Sequence, residues 1–417
     1  MTQTNTPESS ASSFAELGVS PDLVAALAQR GITEPFPVQT LTIPDALAGR
    51  DVCGKAQTGS GKTLAFGLPL IERTAHADQK DPHGLVVVPT RELCVQVSEA
   101  LRPLGESRGL TLASVYGGAA MGPQIAQLRS GVDLLVATPG RLIDLIDRKA
   151  VDVTGVASVV LDEADQMADM GFLPQVHQIM RRIGGKPQVM LFSATLDGAV
   201  QGLINRYLHD PVRHEVASVG DLVDTQTHRF LAVHHMDKPK VAARIVRSVK
   251  RTLIFVSTRH GADRVAEDLR REGVDALPIH GDLRQSDREQ RLNDFTDGRL
   301  PALVATNLAA RGLDIPDVDV VLHYEPPQDY KDFVHRSGRT ARAGESGLVV
   351  TLVEWDEVEE VQRLQKASGL TYEIVKMFSN DLRLDDLVAH EPDMVTLRRT
   401  SDVELSRRFR SGGRRRR

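Results

Sequence analysis

Short continuous apolar runs, spaced by stretches of helical periodicity, constrain this chain more than any other feature. They occur at 51–54, 84–88, 111–116, 133–137, 158–161 and 188–192. A strand that is apolar without alternation has to be covered on both faces, so such runs between helices predict a parallel sheet with helices on either side. A second series begins near residue 225, with runs at 227–233, 252–256, 302–305 and 318–322. At 417 residues the chain is long enough for two α/β domains, each with its own core. We expect a disordered leader at 1–13, a first domain at 14–213, a linker at 214–224 and a second domain at 225–375. Residues 376–417 read as a flexible tail, with arginine crowded into its last twenty positions.

The first run leads into Ala56-Gln57-Thr58-Gly59-Ser60-Gly61-Lys62-Thr63, and a helical pattern follows. Strand, glycine-rich turn and Lys-Thr at a helix start form the context of a phosphate-binding loop. Gly59 and Gly61 let backbone N–H groups curl around a phosphate with no Cβ in the way. Lys62 suits the β- and γ-phosphates, and the Thr63 hydroxyl suits Mg2+. The helix N-terminus adds about half a positive charge. The alternative is a glycine-rich surface turn, which does not require Lys-Thr in register after a strand. Ala56 stands where the general pattern has glycine. Alone, the stretch specifies a nucleoside triphosphate site and no purpose.

Composition narrows the rest only by exclusion. The net charge of −5 carries no bulk signal for nucleic acid, so basic residues must be localised if such a partner exists. Cys53 and Cys94 are too few for a disulfide scaffold or a zinc module and read as buried, reduced thiols. No run approaches the roughly 18 apolar residues of a membrane span, and the N-terminus lacks a signal-peptide core. We therefore expect a cytoplasmic protein with no membrane partner.

Ligands of an open parallel sheet bind beyond the carboxyl ends of its strands. The run at 158–161 ends in Asp162-Glu163-Ala164-Asp165. Two acids there suit an acidic helix start. With a phosphate loop upstream they suit better a nucleotide–Mg2+ site, Asp162 holding the metal through its water shell and Glu163 deprotonating the attacking water.

This Asp-Glu-Ala-Asp, with the phosphate loop before it and Ser193-Ala194-Thr195 after it, resembles the DEAD-box family of RNA-dependent ATPases. The likeness runs over roughly residues 14 to 375. It implies two RecA-like domains, each a parallel sheet flanked by helices. Phe14 and the segment Gly31-Ile32-Thr33-Glu34-Pro35-Phe36-Pro37-Val38-Gln39 resemble the family's adenine-reading element, with Phe14 stacked on the base and Gln39 bonded to its edge. Pro89-Thr90-Arg91, Gly117-Gly118 and Thr138-Pro139-Gly140-Arg141 resemble RNA-contacting loops of the first domain; Gly281, Arg288 and Thr306 lie in similar segments of the second. His335-Arg336-Ser337-Gly338-Arg339-Thr340-Ala341-Arg342 resembles the last motif. Arg339 and Arg342, three apart on one helical face, are then arginine fingers brought to the γ-phosphate by cleft closure. Asp314 would help hold the ribose, while Ser193, Thr195 and His335 couple nucleotide to RNA.

The resemblance implies a monomeric ATP-dependent RNA helicase with ATP and Mg2+ as cofactors, RNA as partner, and local, non-processive unwinding. Backbone contacts make the binding sequence-independent. Two alternatives are an ATP-gated RNA clamp without strand displacement and a DNA helicase of the related two-domain superfamily. Asn307 stands where the family often has Asp, Cys94 where Ala is usual, and Ala341 where Gly is frequent. The short core, arginine bias and basic tail resemble bacterial RhlE-type members.

Overall fold

The computed structural model describes residues 13–56, 60–74, 81–196, 198–215, 226–310, 318–340 and 347–387. These residues form two compact units, the first reaching Glu215 and the second starting at Gln226.

The first unit holds β1 (Val52–Lys55), β2 (Gly84–Val87), β3 (Leu112–Val115), β4 (Leu134–Ala137), β5 (Ser158–Leu161), β6 (Gln188–Ser193) and β7 (Val212–Glu215). They form one parallel sheet in the order β3-β4-β2-β5-β6-β1-β7. Successive side chains of a strand point to opposite faces. Val86, Val160 and Met190 therefore join one core layer, while Val87, Val159 and Leu191 join the other. Helices cover both faces, as the continuous apolar runs require.

The second unit holds β8 (Gln226–Ala232), β9 (Thr252–Val256), β10 (Ala276–Ile279), β11 (Ala302–Thr306), β12 (Val320–His323), β13 (Gly347–Val353) and β14 (Ile374–Lys376). Its parallel sheet runs β10-β11-β9-β12-β13-β8-β14. Each strand takes the place of the one seven positions earlier in the first unit. The same topology is built twice.

Four strands escape the run-based reading: β7, β10, β13 and β14. The polar, half-exposed edge strand β7 has no apolar run, yet it pairs with β1. His214 and Glu215, expected in the linker, therefore belong to the first sheet. The expected tail boundary is likewise corrected. Lys376 ends β14, Met377, Leu384 and Leu387 are buried, and Arg244 holds Asp385 through contacts of 2.7 and 2.6 Å. The second unit thus continues through Leu387. Residues 1–12, most of the expected linker and 388–417 lie outside the described residues. Among those described, no helix is long and apolar enough to cross a membrane, and both cysteines are buried.

Candidate functional site

The phosphate-loop residues stand at the carboxyl end of β1. Gly61 is left-handed (φ 89°) and precedes the helix Lys62–Arg73, whose second residue is Thr63. A Cβ on Gly61 would fall 2.5 Å from Gln39 Nε2 and 2.6 Å from Phe36 Cδ2, so only glycine fits. Gln39 is 1% exposed; its Nε2 donates to the Gly61 carbonyl at 2.9 Å and its Oε1 accepts from the Phe36 N–H at 2.8 Å. The segment expected to read adenine is thereby bonded directly to the loop expected to hold phosphate. Ala56 N donates to the Ser193 carbonyl at 3.0 Å, joining the loop to β6.

Lys62 is buried and turned onto the acids that follow β5. Its Nζ lies 2.7 Å from Glu163 Oε1 and 3.9 Å from Asp162 Oδ1. Burial opposes the ammonium's charge, but Glu163 and then Asp162 outweigh it and hold the pKa above its ordinary value. Burial pushes Asp162 up to about 7 against the pull of Lys62. Glu163 is left-handed (φ 52°), a conformation costing a non-glycine residue about 1–3 kcal/mol and often found at functional sites. Its N–H is held by Asp162 Oδ1 at 3.0 Å. The Ser193 hydroxyl accepts from Asp165 N at 3.2 Å, and the Thr195 hydroxyl reaches Asp165 Oδ2 at 3.4 Å. The two residues of the first unit expected to act in coupling thus both bond the last acid of the motif.

The loops expected to touch RNA follow β2, β3 and β4, which are neighbours in the sheet. Pro89 precedes Thr90, whose hydroxyl caps the helix Arg91–Glu106 through Leu93 N at 3.2 Å. The Arg91 guanidinium lies 4.9 Å over the Tyr116 ring, and Gly118 (φ 77°) comes within 3.9 Å of it at its Cβ position. Gly117 and Gly140 have open space where a Cβ would stand. Thr138 and Pro139 open the helix bearing Arg141, which is bonded to Gln124 Oε1 at 2.9 Å and the Ala119 carbonyl at 3.0 Å. The residues expected to hold phosphate therefore follow β5, β6 and β1, and those expected to touch RNA follow β3, β4 and β2.

The second unit repeats this partition. Gly281 follows β10, Arg288 lies on the helix Gln285–Thr296, and Thr306 ends β11, its hydroxyl reaching Ala309 N at 3.3 Å. On the other half, His335 and Arg336 lie on the helix Tyr330–Ser337 that follows β12.

The chain matches the family described as DEAD/DEAH box helicase over residues 36–203 and the helicase conserved C-terminal domain over 237–344. It is 37% identical over 365 residues to the DEAD-box ATP-dependent RNA helicase CshA of Geobacillus kaustophilus, covering 87% of this chain and 78% of that protein. The chain belongs to the DEAD-box ATP-dependent RNA helicase family. It is also 40% identical to the mitochondrial DEAD-box ATP-dependent RNA helicase 9 of Arabidopsis thaliana, covering 85% of this chain and 60% of that protein. The chain spans 58–66% of the length of four such plant relatives. Its fold is similar to that of S. cerevisiae Dbp5 bound to RNA and ADP BeF3, with TM-score 0.80, 29% identity, and 89% and 97% of the two chains covered. The two sheets are the two RecA-like domains of DEAD-box proteins.

Two expectations for this DEAD-box chain are corrected. Phe14 is 1% exposed and packs in the core with Leu23 and Leu27, which leaves no open ring face for a base. The exposed aromatic at the phosphate loop is Phe36, at 55%. Arg339 does not lie on the helical face, because the helix stops at Ser337 with Gly338 as its cap. Arg339 is buried in the turn beyond, where its carbonyl accepts from Val318 N at 3.3 Å. Gln57, Thr58, Gly59, Asp314 and Arg342 lie outside the described residues.

Arg259 was missed altogether. It follows β9 as Arg91 follows β2, each preceded by a threonine that caps the helix, and it pairs with Asp282 at 2.5 Å. The repeated Thr-Arg after equivalent strands is the signal that identifies it.

Proposed function

We propose that this chain is an RNA-stimulated ATPase that remodels short RNA duplexes locally and without regard to sequence. The single observation carrying this reading is the buried set of Lys62, Asp162 and Glu163 at the mouth of the phosphate loop. Structural likeness to a relative bound to RNA and ADP BeF3 supports it.

Gln39, already bonded to Gly61, presents its remaining amide N–H to the adenine edge, and Phe36 offers the ring face that Phe14 does not. Backbone N–H groups of 56–61 and the Lys62 ammonium bind the phosphates. The donor set fits Mg2+: two buried carboxylates stand at the loop, and burial pushes Asp162 up to about 7, a cost that a cation beside it would offset. Thr63 and Asp162 would hold the ion, which when bound neutralises charge on the β- and γ-phosphates. A phosphate taken by Lys62 competes with Glu163 for the ammonium and releases the carboxylate to accept a proton from water. Arg339 and Arg342 neutralise the charge that spreads over the γ-phosphoryl oxygens.

Arg91, Arg141, Arg288 and Thr306, with glycine N–H groups at 117, 118, 140 and 281, suit phosphates and sugars, not base edges. Affinity should therefore depend on 2′-hydroxyls and fall with salt. ATP and RNA are expected to favour each other's binding by linkage.

The test is the ATPase rate with RNA, with DNA and with neither, alongside displacement of a short RNA duplex. Stimulation by RNA alone, with ATP-dependent displacement, is the expected result. Equal stimulation by DNA, or tight ATP-dependent RNA binding with no displacement, overturns the reading.

A further inference from the structure

We infer that Asn307 is a positioning residue, matched to Asp332, that ties the RNA-contacting end of β11 to the segment carrying Arg339. This rests on the proposed RNA-stimulated ATPase. Asn307 directly follows Thr306 and opens the short helix Asn307–Ala310. Its Nδ2 donates to Asp332 Oδ2 at 2.5 Å, and its Oδ1 accepts from Arg336 Nε at 2.6 Å. Arg336 is 2% exposed, donates from Nη1 to the Glu325 carbonyl at 3.0 Å and lies 5.4 Å over the Phe255 ring. Asp332 and Arg336 are one turn apart on the helix Tyr330–Ser337, and Arg339 stands two residues beyond its end.

The chemistry fixes the residue type. An amide turns its oxygen to the cation and its N–H to the anion, so one side chain bonds both charged neighbours. Aspartate in place of Asn307 would still accept from Arg336. It would also set a second carboxylate against Asp332 with no proton between them. Asn307 and Asp332 are therefore a matched pair. Moving Thr306 drags the amide, and the amide is bonded to the buried arginine that fixes the helix leading to Arg339. Contact with RNA at β11 is in this way transmitted to the catalytic arginine through two hydrogen bonds.

The pair is tested in the full chain with Asn307→Asp, Asp332→Asn and the double exchange, reading basal and RNA-stimulated kcat, the KM for ATP and the thermal midpoint. Asn307→Asp is expected to lower RNA-stimulated kcat about tenfold while the KM for ATP stays within about twofold. The double exchange restores the carboxylate–amide match in reverse and is expected to recover kcat to within about threefold of the original chain. A purely structural site would show the two substitutions adding their losses. Wild-type behaviour of Asn307→Asp, or a double exchange as impaired as the single change, overturns the inference. If Asn307→Asp does not fold, recovery of folding and stimulation by the double exchange supports the pairing, and failure to recover either overturns it. An original chain without RNA stimulation would instead sink the proposed function itself.

Discussion

The Lys62 ammonium and the Glu163 carboxylate hold each other at 2.7 Å in a pocket that leaves each about 5% exposed. Breaking a buried pair from one side costs about 3–5 kcal/mol, because the other charge stays behind. Lys62→Ala is therefore expected to lose ATP turnover and stability together. Its stability should recover as pH falls, since Asp162, raised to about 7 by burial even against the pull of Lys62, then binds a proton that the unfolded chain does not. Thermal melts at several pH values check the sign.

Glu163→Gln keeps the shape and still accepts from Lys62 through its amide oxygen. It is expected to retain ATP-dependent RNA binding while kcat drops about 10²–10⁴-fold, the usual worth of a positioned base. Single-turnover hydrolysis with a parallel RNA-binding titration separates the two. Undiminished hydrolysis would remove Glu163 from the mechanism.

Phe14, expected to stack on the base, is buried in the core, and Phe36 stands exposed beside Gly61. Phe36→Ala should weaken ATP binding by about 1–3 kcal/mol, the range of a lost stack on a base, and leave the melting point nearly unchanged. Phe14→Ala should destabilise by about 3–5 kcal/mol as a core truncation. Calorimetric titration with ATP and thermal unfolding give the comparison; the reverse pattern restores Phe14 to the base.

Arg339→Ala is expected to depress RNA-stimulated hydrolysis by about 10³–10⁵-fold, with ATP affinity almost intact. Turnover near that of the original chain would refute the assignment.

His228 and His323 flank Phe333, the buried anchor of the helix Tyr330–Ser337, at 5.4 and 5.6 Å between rings. Burial, aided by Arg229, pushes His228 down to about 4; burial, Arg336 and His228 hold His323 well below the ordinary range. The folded chain thus binds fewer protons than the unfolded chain below about pH 6.5. Stability present at neutral pH is lost as pH falls from there towards 4, by up to about 1.4 kcal/mol per pH unit for each histidine. Asp162, raised from 3.8 to about 7, works in the opposite direction across that whole window. The difference between the original chain and His228→Phe isolates the histidine: the variant should lose less stability between pH 6.5 and 5. Parallel curves would exclude it.

What the sequence disclosed depended on contiguity. The loop at 56–63 and the acids at 162–165 carry their chemistry in neighbouring residues, so both were legible at once. The strand β7 was not, because an edge strand half open to water needs no apolar run to pair, and β14 is only three residues long. Side-chain direction was equally hidden: Phe14 and Phe36 are both aromatics near one motif, and only packing shows which faces solvent. Gly338 did mark the end of a helix before Arg339, a stop signal overridden by three-residue spacing. The bridge from Asn307 to Asp332 and Arg336 joins residues 25 and 29 positions apart, beyond any local pattern.

In both units the residues proposed for the nucleotide and those proposed for RNA follow different strands of one sheet. On the proposed function, substitutions after β3, β4 or β10 are expected to alter contact with RNA while the ATP chemistry after β1 and β5 stays as it is.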